Sequence, residues 1–461
     1  MPDTDTREDT WPQPVLDLLA TGDDRPVFED GPSVVTAAAM AGLVRRIAAG
    51  LRSRGAGPAT PVVLTTGVSA AAFAANLAAF AVGATVSGRS FAAGELVVDD
   101  ARLAAWLALP DDGAPLVAAG RPGDIARLIW TSGSTGRPKG CAQTYAAMSA
   151  AWAPYPDRWP PAVAELASRL RRYLVFGSLA SQVMLEYGIL ALAAGGTLVA
   201  ARPPGFPDMI PRHRATGSVI TVGKLHQLVR AQRSSPADLS SLRALLVSGS
   251  PLEPARLAEA LDVLGPVVFH GYGQTETGMI AMATPSEMLA DPAVLASVGR
   301  PPAGHDLSIR DGELYVRTPA QASSYWGDPA ETADVFRDGW VRTRDLASLD
   351  DRGYLHLAGR ARDVVIVDAQ LVHAGPIERV LGSDPSVAEA YVVARPSFET
   401  GEAVHAFIVP ARGRTPDPAR LRSLVAAALG EAAVPQAITV IDAVPLAPSG
   451  KPDKRALLGS S

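Results

Sequence analysis

An alternation constrains this chain more than any other feature. Short runs of β-branched and aliphatic residues recur at 62–66, 128–130, 173–176, 197–200, 218–222, 244–248 and 267–270, with helical segments between several of them. Parallel neighbours need a crossover long enough to hold a helix, so strand, helix and strand in succession predict an α/β fold with parallel sheets. Apolar residues at helical spacing over 36–54 predict one such helix, with Thr36 as its N-cap and Gly55 as its stop. The weakly apolar stretch 68–86 approaches the length of a membrane span. It is mostly alanine, carries Asn76 and lies between Gly67 and Gly88, which reads as a buried helix running into a strand.

After about residue 307 the texture changes to short alternating runs with tight turns, as in 312–316 and 353–357, the pattern of a distorted antiparallel β subdomain. From about residue 360 a further hundred residues carry their own strand and helix signals. A chain of 461 residues is too long for one ordinary core. The expected division is a large N-terminal domain, 1–359, and a small mobile α+β C-terminal domain, 360–461.

Composition excludes several classes. With 48% hydrophobic and 19% charged residues the chain is globular, and a net charge of -5 argues against nucleic acid or an anionic membrane as partner. One cysteine, Cys141, rules out an internal disulfide framework and fits a reducing cytoplasm. Residues 1–10 are polar and acidic, unlike a signal peptide, so a cytoplasmic location is expected.

The run Thr131-Ser132-Gly133-Ser134-Thr135-Gly136-Arg137-Pro138-Lys139-Gly140 follows an apolar run and precedes a helix-like segment near Gln143. Its glycines let backbone approach an anion, while its hydroxyls and the Lys139 ammonium supply donors, which suits a nucleoside triphosphate. It is not a Walker loop, since Pro138 precedes the lysine and Gly140 follows it. Lysine is scarce: Lys139, Lys224, Lys451 and Lys454 are the only four among 42 basic residues. Arginine serves almost everywhere else, so Lys139 and Lys451 read as compact cations kept for chemistry.

A second run, His270-Gly271-Tyr272-Gly273-Gln274-Thr275-Glu276-Thr277-Gly278, follows a predicted strand. Gly271 and Gly273 would permit close backbone approach, Tyr272 offers a face for a base, and Glu276 offers a carboxylate for Mg²⁺.

With these two runs in this order, the sequence resembles the adenylate-forming enzymes: acyl-CoA ligases, adenylation domains of nonribosomal peptide synthetases and beetle luciferases. The resemblance covers nearly the whole chain and is greatest to acyl- or aryl-CoA ligases. It implies ATP as co-substrate, bound by the loop at 131–140, with Mg²⁺ on Glu276. Thr275 would contact the α-phosphate or the acyl carboxylate, and Gly249-Ser250-Pro251 would lie on the adenine side. Residues 340–345 match the segment whose aspartate holds both ribose hydroxyls, so Asp345 takes that role, although Arg344 stands where the family usually has glycine. Arg360 would lie near the ribose, Arg362 at the interdomain hinge, and Lys451 would be the catalytic lysine.

The segment 364–371 departs from many acyl-CoA ligases. Ile366 or Val367 occupies the region of a lysine, and Ala369 that of a glycine beside the pantetheine path. Counting back from Gly195-Gly196, the resemblance implies an acid pocket near Phe176, Ser178 and Ala180, to which Gly278 is assigned as well. Small residues there predict a roomy apolar site. Glu186 is the only acid between Tyr173 and Gly188, and the aspartate by which peptide-synthetase domains hold a substrate ammonium is missing. The expected reaction is activation of a bulky apolar acid (aryl, fatty or terpenoid) to an acyl-AMP, followed by transfer to CoA. One alternative stops at the adenylate and hands it to a carrier protein or second enzyme. Another is a non-catalytic nucleotide-binding protein on the same fold.

Overall fold

The computed structural model describes residues 10–21, 24–131, 138–368, 370–398, 400–446 and 452–459, the Arg455 side chain excepted. Among them the strands form four sheets. The largest has eight strands in the order Gly278–Ala283, Val268–Gln274, Ala244–Ser248, Gly217–Thr221, Arg172–Val175, Thr197–Ala200, Pro26–Asp30 and Ser33–Thr36. Its inner pairings are parallel, and only the two end pairs are antiparallel. The alternation in the sequence has the consequence expected of it.

A six-stranded sheet runs Ser324–Tyr325, Lys139–Thr144, Ile125–Thr131, Thr85–Ser87, Pro61–Leu64 and Leu96–Val98. Between these two sheets lie the helices Ala37–Ser53 and Ala70–Ala81, whose Met40, Ile47, Phe73 and Phe80 join Phe28 and Phe269 in one core. Each helix starts where a hydroxyl answers an orphan amide: Thr36 accepts from Ala39 N at 3.3 Å and Ser69 from Ala72 N at 3.1 Å. Ten of the twelve residues of Ala70–Ala81 are buried, and the amide of Asn76 donates to the Ala72 carbonyl at 2.9 Å. The helix is about 18 Å long at 1.5 Å per residue, well short of a bilayer core. No described helix is long and apolar enough to cross a membrane.

The expected antiparallel subdomain is a five-stranded sheet built on Asp306–Arg310, Glu313–Arg317, Trp340–Leu349, Phe336–Arg337 and Leu355–Arg360. Beyond it a smaller α+β unit carries a separate core, in which Val365, Ile377, Leu381, Val392, Ile408 and Leu421 pack between a sheet and the helices Ala374–Gly382 and Pro418–Leu429. A large N-terminal α/β part and a smaller C-terminal part thus make up the chain.

One local expectation is corrected. Residues 139–144 are a strand, paired antiparallel with Ile125–Thr131 so that Thr131 faces Lys139, and the helix begins only at Tyr145 under a Thr144 cap. The run at 131–140 therefore connects two strands, because Cys141, Ala142 and Gln143 are buried as sheet residues.

Candidate active site

The parallel strands Ala244–Ser248 and Val268–Gln274 end side by side, and ligands of such sheets bind beyond the carboxyl ends of the strands. Ser248 leads into Gly249, whose φ of +97° suits glycine, and into Ser250. Val268–Gln274 leads into a tight turn that carries Thr275 and Glu276 before Gly278–Ala283 returns alongside.

The glycines of this hairpin also pack closely within the sheet. A Cβ on Gly273 would stand 2.4 Å from the Gly278 carbonyl oxygen, and one on Gly271 would stand 2.9 Å from Leu246 Cδ1. Close packing against neighbouring chain is what excludes side chains there.

Asp345 is buried, and each of its carboxylate oxygens has a partner. The Tyr272 hydroxyl donates to Oδ2 at 2.5 Å, Gln274 Nε2 donates to the same oxygen at 2.6 Å, and Arg360 Nε lies 2.8 Å from Oδ1. Register explains the last contact, since Asp345 and Arg360 stand opposite each other on paired strands. Burial, then the charge of Asp345, pushes the Tyr272 phenol far up, so the tyrosine stays a neutral donor. Tyr272, Asp345 and Arg360, assigned separately from the sequence, come together, and Gln274 joins them.

Arg344 occupies its glycine-like place with φ +59°, a left-handed conformation that costs a non-glycine residue about 1–2 kcal/mol. Its guanidinium gives Nη1 to Glu331 Oε1 and Nη2 to Asp334 Oδ2, each at 2.6 Å. Both acids sit on the short helix Pro329–Val335. Lys139 Nζ lies 2.5 Å from the same Glu331 oxygen and 5.4 Å from the centre of the Tyr325 ring. Hydrogen bonds from Arg344 and Lys139 hold the Glu331 carboxyl below its usual range. Sequence reasoning marked Arg344 as a departure but gave no sign of Glu331, which lies in a stretch without a glycine or hydroxyl cluster.

Glu276 is fixed by one oxygen: the Tyr325 hydroxyl donates to Oε1 at 2.6 Å. No group of three or more His, Cys, Asp or Glu able to hold a metal occurs among the described residues. A single carboxylate whose second oxygen has no partner among the described residues fits Mg²⁺, which binds through one or two carboxylates together with phosphates and water. Ser132, Gly133, Ser134, Thr135, Gly136 and Lys451 lie outside the described residues.

The hinge residues divide. Arg360 faces Asp345, whereas Arg362 Nη2 stands 3.3 Å from Asp334 Oδ2. Lys454, one of the four lysines, is tied to Asp363 and Glu378 at 2.5 and 2.7 Å, so the final helix is anchored on the hinge. Cys141 is buried and its thiol is pushed well up by burial, which leaves it a packing residue.

A cavity of about 150 Å³ opens beside Thr277 and Gly278, walled by Met148, Trp152, Leu185 and Met279, with Arg127, Gln143, Gln182 and Glu186 also on its surface. Of the four residues expected at the acid pocket only Gly278 borders it. Ser178 and Ala180 line a smaller pocket beside Asn76 and Leu128, and Phe176 packs against Phe206. Ala180 is exposed, and its Cβ stands 2.8 Å from where a Cβ on Gly88 would be, which leaves room at position 88 for glycine alone.

Fold and site together define an adenylate-forming enzyme, and the chain belongs to that family. Residues 89–326 match the AMP-binding enzyme family and residues 376–451 the AMP-binding enzyme C-terminal domain. The chain is 31% identical over 371 residues to the medium/long-chain-fatty-acid–CoA ligase FadD8 of Mycobacterium tuberculosis, a match covering 74% of this chain and 62% of that protein. It is 31% identical over 374 residues to the fatty acid–acyl-carrier-protein ligase ScoC of Streptomyces coeruleorubidus, covering 77% and 71%. Among solved structures, the amide bond synthetase McbA of Marinactinospora thermotolerans aligns with a TM-score of 0.82 at 32% identity, covering 96% of this chain and 98% of that one.

Proposed function

We propose that this chain is an ATP- and Mg²⁺-dependent acid ligase that converts a carboxylic acid to its acyl-AMP and passes the acyl group to CoA. One observation carries the reading: a buried aspartate, Asp345, held by Tyr272, Gln274 and Arg360, in a structure that also carries the Thr275–Glu276 turn and Lys139. An acid acceptor placed in this way suits a pair of ribose hydroxyls.

In the reaction a carboxylate oxygen bonds to the α-phosphorus of ATP, the bond from that phosphorus to the β-phosphate bridge breaks, and pyrophosphate leaves with the electron pair. No protein nucleophile or proton transfer is required. The protein's part is orientation and charge. Gly249, Ser250 and Tyr272 receive the base, Asp345 and Arg360 the ribose, and the loop at 131–136 with Lys139 the phosphates. Thr275 meets the α-phosphate or the acid. Glu276 would hold Mg²⁺, which when bound neutralises charge on the phosphate oxygens. Lys451 reaches the same centre when a lid of residues 360–461 closes on residues 1–359 about Arg362.

The acid is bulky and apolar in its body. A space of about 150 Å³ takes a body about the size of one benzene ring, which favours an aryl acid over fatty or terpenoid ones. CoA or a carrier protein would receive the acyl group, and a cytoplasmic location suits either.

A second reading, transfer to an amine, rests on a separate observation. The amide bond synthetase is 32% identical to this chain over 98% of its own length, while the o-succinylbenzoate CoA synthetase of Bacillus subtilis, covered to 97%, is 22% identical. The deciding experiment is mass spectrometry of products from ATP, Mg²⁺ and a panel of acids, run alone, with CoA and with a primary amine. Acyl-CoA supports the proposal and an amide formed without CoA supports the second reading. An acyl-AMP that neither acceptor consumes would mean an adenylating enzyme with another partner. Nucleotide binding without any pyrophosphate release would overturn all three.

A further inference from the structure

Two charged side chains in the cavity lack partners that buried charges usually have. Arg127 lies in the middle of the strand Ile125–Thr131 and is 8% exposed. Its Nε donates to Gln143 Oε1 at 2.7 Å, and Gln143 is itself fixed by donating to the Ala320 carbonyl at 2.6 Å. Its terminal nitrogens form no hydrogen bond among the described residues, and Arg127 lines both this cavity and the smaller pocket beside Asn76 and Leu128. Glu186, on the helix Gln182–Ala193, lines the same cavity. The two feel each other's charge but make no direct contact, and the Glu186 carboxyl has no hydrogen bond among the described residues.

Arg127 is buried and Glu186 half-buried, and charges withdrawn from water without hydrogen bonds persist where something completes them. Around them the cavity is lined by Met148, Trp152, Leu185 and Met279, with Arg158, Gln182 and His305 also on its wall. We infer that the acid activated here carries, away from its carboxyl, an uncharged group that donates one hydrogen bond to Glu186 and accepts another from Arg127, as an amide or lactam does. This rests on the adenylation reading and names its substrate class. A group that bridges the two meets one charge of each sign, so a net charge of its own would be attracted by one and repelled by the other. An all-hydrocarbon end would leave both polar groups desolvated and unbonded.

The selectivity should be large, because a site built to hydrogen-bond a substrate rejects the analogue that lacks the group far more strongly than an apolar pocket rejects an added one. The test uses four single-ring acids: para-carbamoylbenzoate, para-isopropylbenzoate of similar shape, terephthalate and para-(aminomethyl)benzoate. Each is titrated calorimetrically into the full chain and, separately, assayed for pyrophosphate release with ATP and Mg²⁺. The carbamoyl acid is expected to bind at least about tenfold more tightly than the isopropyl acid and than either charged one. In Glu186→Leu and in Arg127→Met that preference should fall to about twofold or reverse, with melting temperature as the control for folding. Equal or tighter binding of the isopropyl acid to the wild type, tightest binding of a charged member, or no binding by any of the four overturns the inference. The expected binding preference without pyrophosphate release would leave the inference standing and overturn adenylation. Pyrophosphate release without the preference would do the reverse.

Discussion

Arg344 Nη1 approaches Glu331 Oε1 at 2.6 Å, and Lys139 Nζ approaches that same oxygen at 2.5 Å. A carboxylate oxygen that gathers two cations in this way does what a phosphate oxygen would do, and with Lys139 committed to it a triphosphate must compete. Replacing Glu331 by Gln keeps the shape and removes the charge. Inorganic pyrophosphate should then bind more tightly, by about 3- to 10-fold, an increment set by one lost charge-assisted contact that is partly exposed. Unchanged or weaker binding by calorimetry would mean that Glu331 only orients Lys139.

The left-handed backbone at Arg344 gives a prediction of its own. Alanine there loses both ion pairs and keeps the unfavourable φ of +59°, whereas glycine loses the pairs and is at ease. Arg344→Gly should therefore be more stable than Arg344→Ala by about 1 kcal/mol, less the backbone freedom glycine adds to the unfolded chain. Chemical denaturation of the two variants measures the difference. Equal stabilities would show that the neighbouring strands impose no strain at this residue.

Asp345 tests the nucleotide site. Asp345→Ala leaves Tyr272, Gln274 and Arg360 without their acceptor and removes the partner proposed for the ribose hydroxyls. The kcat/KM for ATP should fall by about 10²-fold or more, corresponding to the loss of two or three hydrogen bonds to a charged group. A fall confined to the acid's KM would move Asp345 away from the ribose.

These relationships differ in how far the sequence announces them. The parallel sheets are legible because strand runs and helices alternate, and the Thr36 cap because a hydroxyl precedes an apolar repeat. Asp345, Tyr272 and Arg360 are legible through motif resemblance. Gln274 and Glu331 are not, because what places them is register: one strand end brings Gln274 to Asp345, and one turn of helix brings Glu331 to Lys139. Glu186 is visible as the only acid in its segment, yet only the fold brings its helix to a cavity that Arg127, on a strand, also lines. The glycines at 271 and 273 look like ligand-approach glycines in a linear reading, and the close packing of Gly273 on the Gly278 carbonyl oxygen appears only in the sheet. Scarcity singled out Lys139 and Lys451 but passed over Lys454, whose burial between Asp363 and Glu378 appears only in three dimensions.

The contact between the two parts of the chain should respond to pH through Glu253. This residue precedes the helix Pro254–Leu264 and lies against Gly382, where a Cβ would stand 3.1 Å from its Cγ. Burial pushes its carboxyl up to about 7, while the Arg379 charge pulls it down and Glu378 adds to the rise. A raised carboxyl pKa means that the folded chain keeps a proton which the unfolded chain has already released. Its stabilising effect is thus present at low pH and is lost as pH rises from about 4.5 to about 7. His270, held down to about 4 by burial, works in the opposite direction over part of that range, so the wild-type profile alone is not diagnostic. The difference between Glu253→Gln and wild type is: the variant's relative melting temperature should rise from pH 5 to pH 8 and then level off. A constant difference across that range would place the Glu253 titration elsewhere.

The two tail lysines should separate chemistry from architecture. Lys451 is assigned to the charge that builds between carboxylate and α-phosphate, a role exercised only in the reacting complex, so Lys451→Ala should lower adenylation by about 10²-fold or more and leave the affinity for ATP nearly unchanged. Lys454 is mostly buried and bridges Asp363 of the hinge to Glu378 of the C-terminal core, and burial and these two acids act on it in opposite directions. Removing one member of such a cluster leaves two carboxylates facing each other without a cation. Lys454→Met should therefore destabilise the C-terminal part by about 2–4 kcal/mol, read by denaturation, and slow adenylation only as far as the lid fails to dock. The roles would be exchanged if Lys451→Ala unfolded the C-terminal part or Lys454→Met abolished pyrophosphate release at full stability. Parallel measurement of stability, ATP affinity and pyrophosphate release in both variants decides between the two assignments.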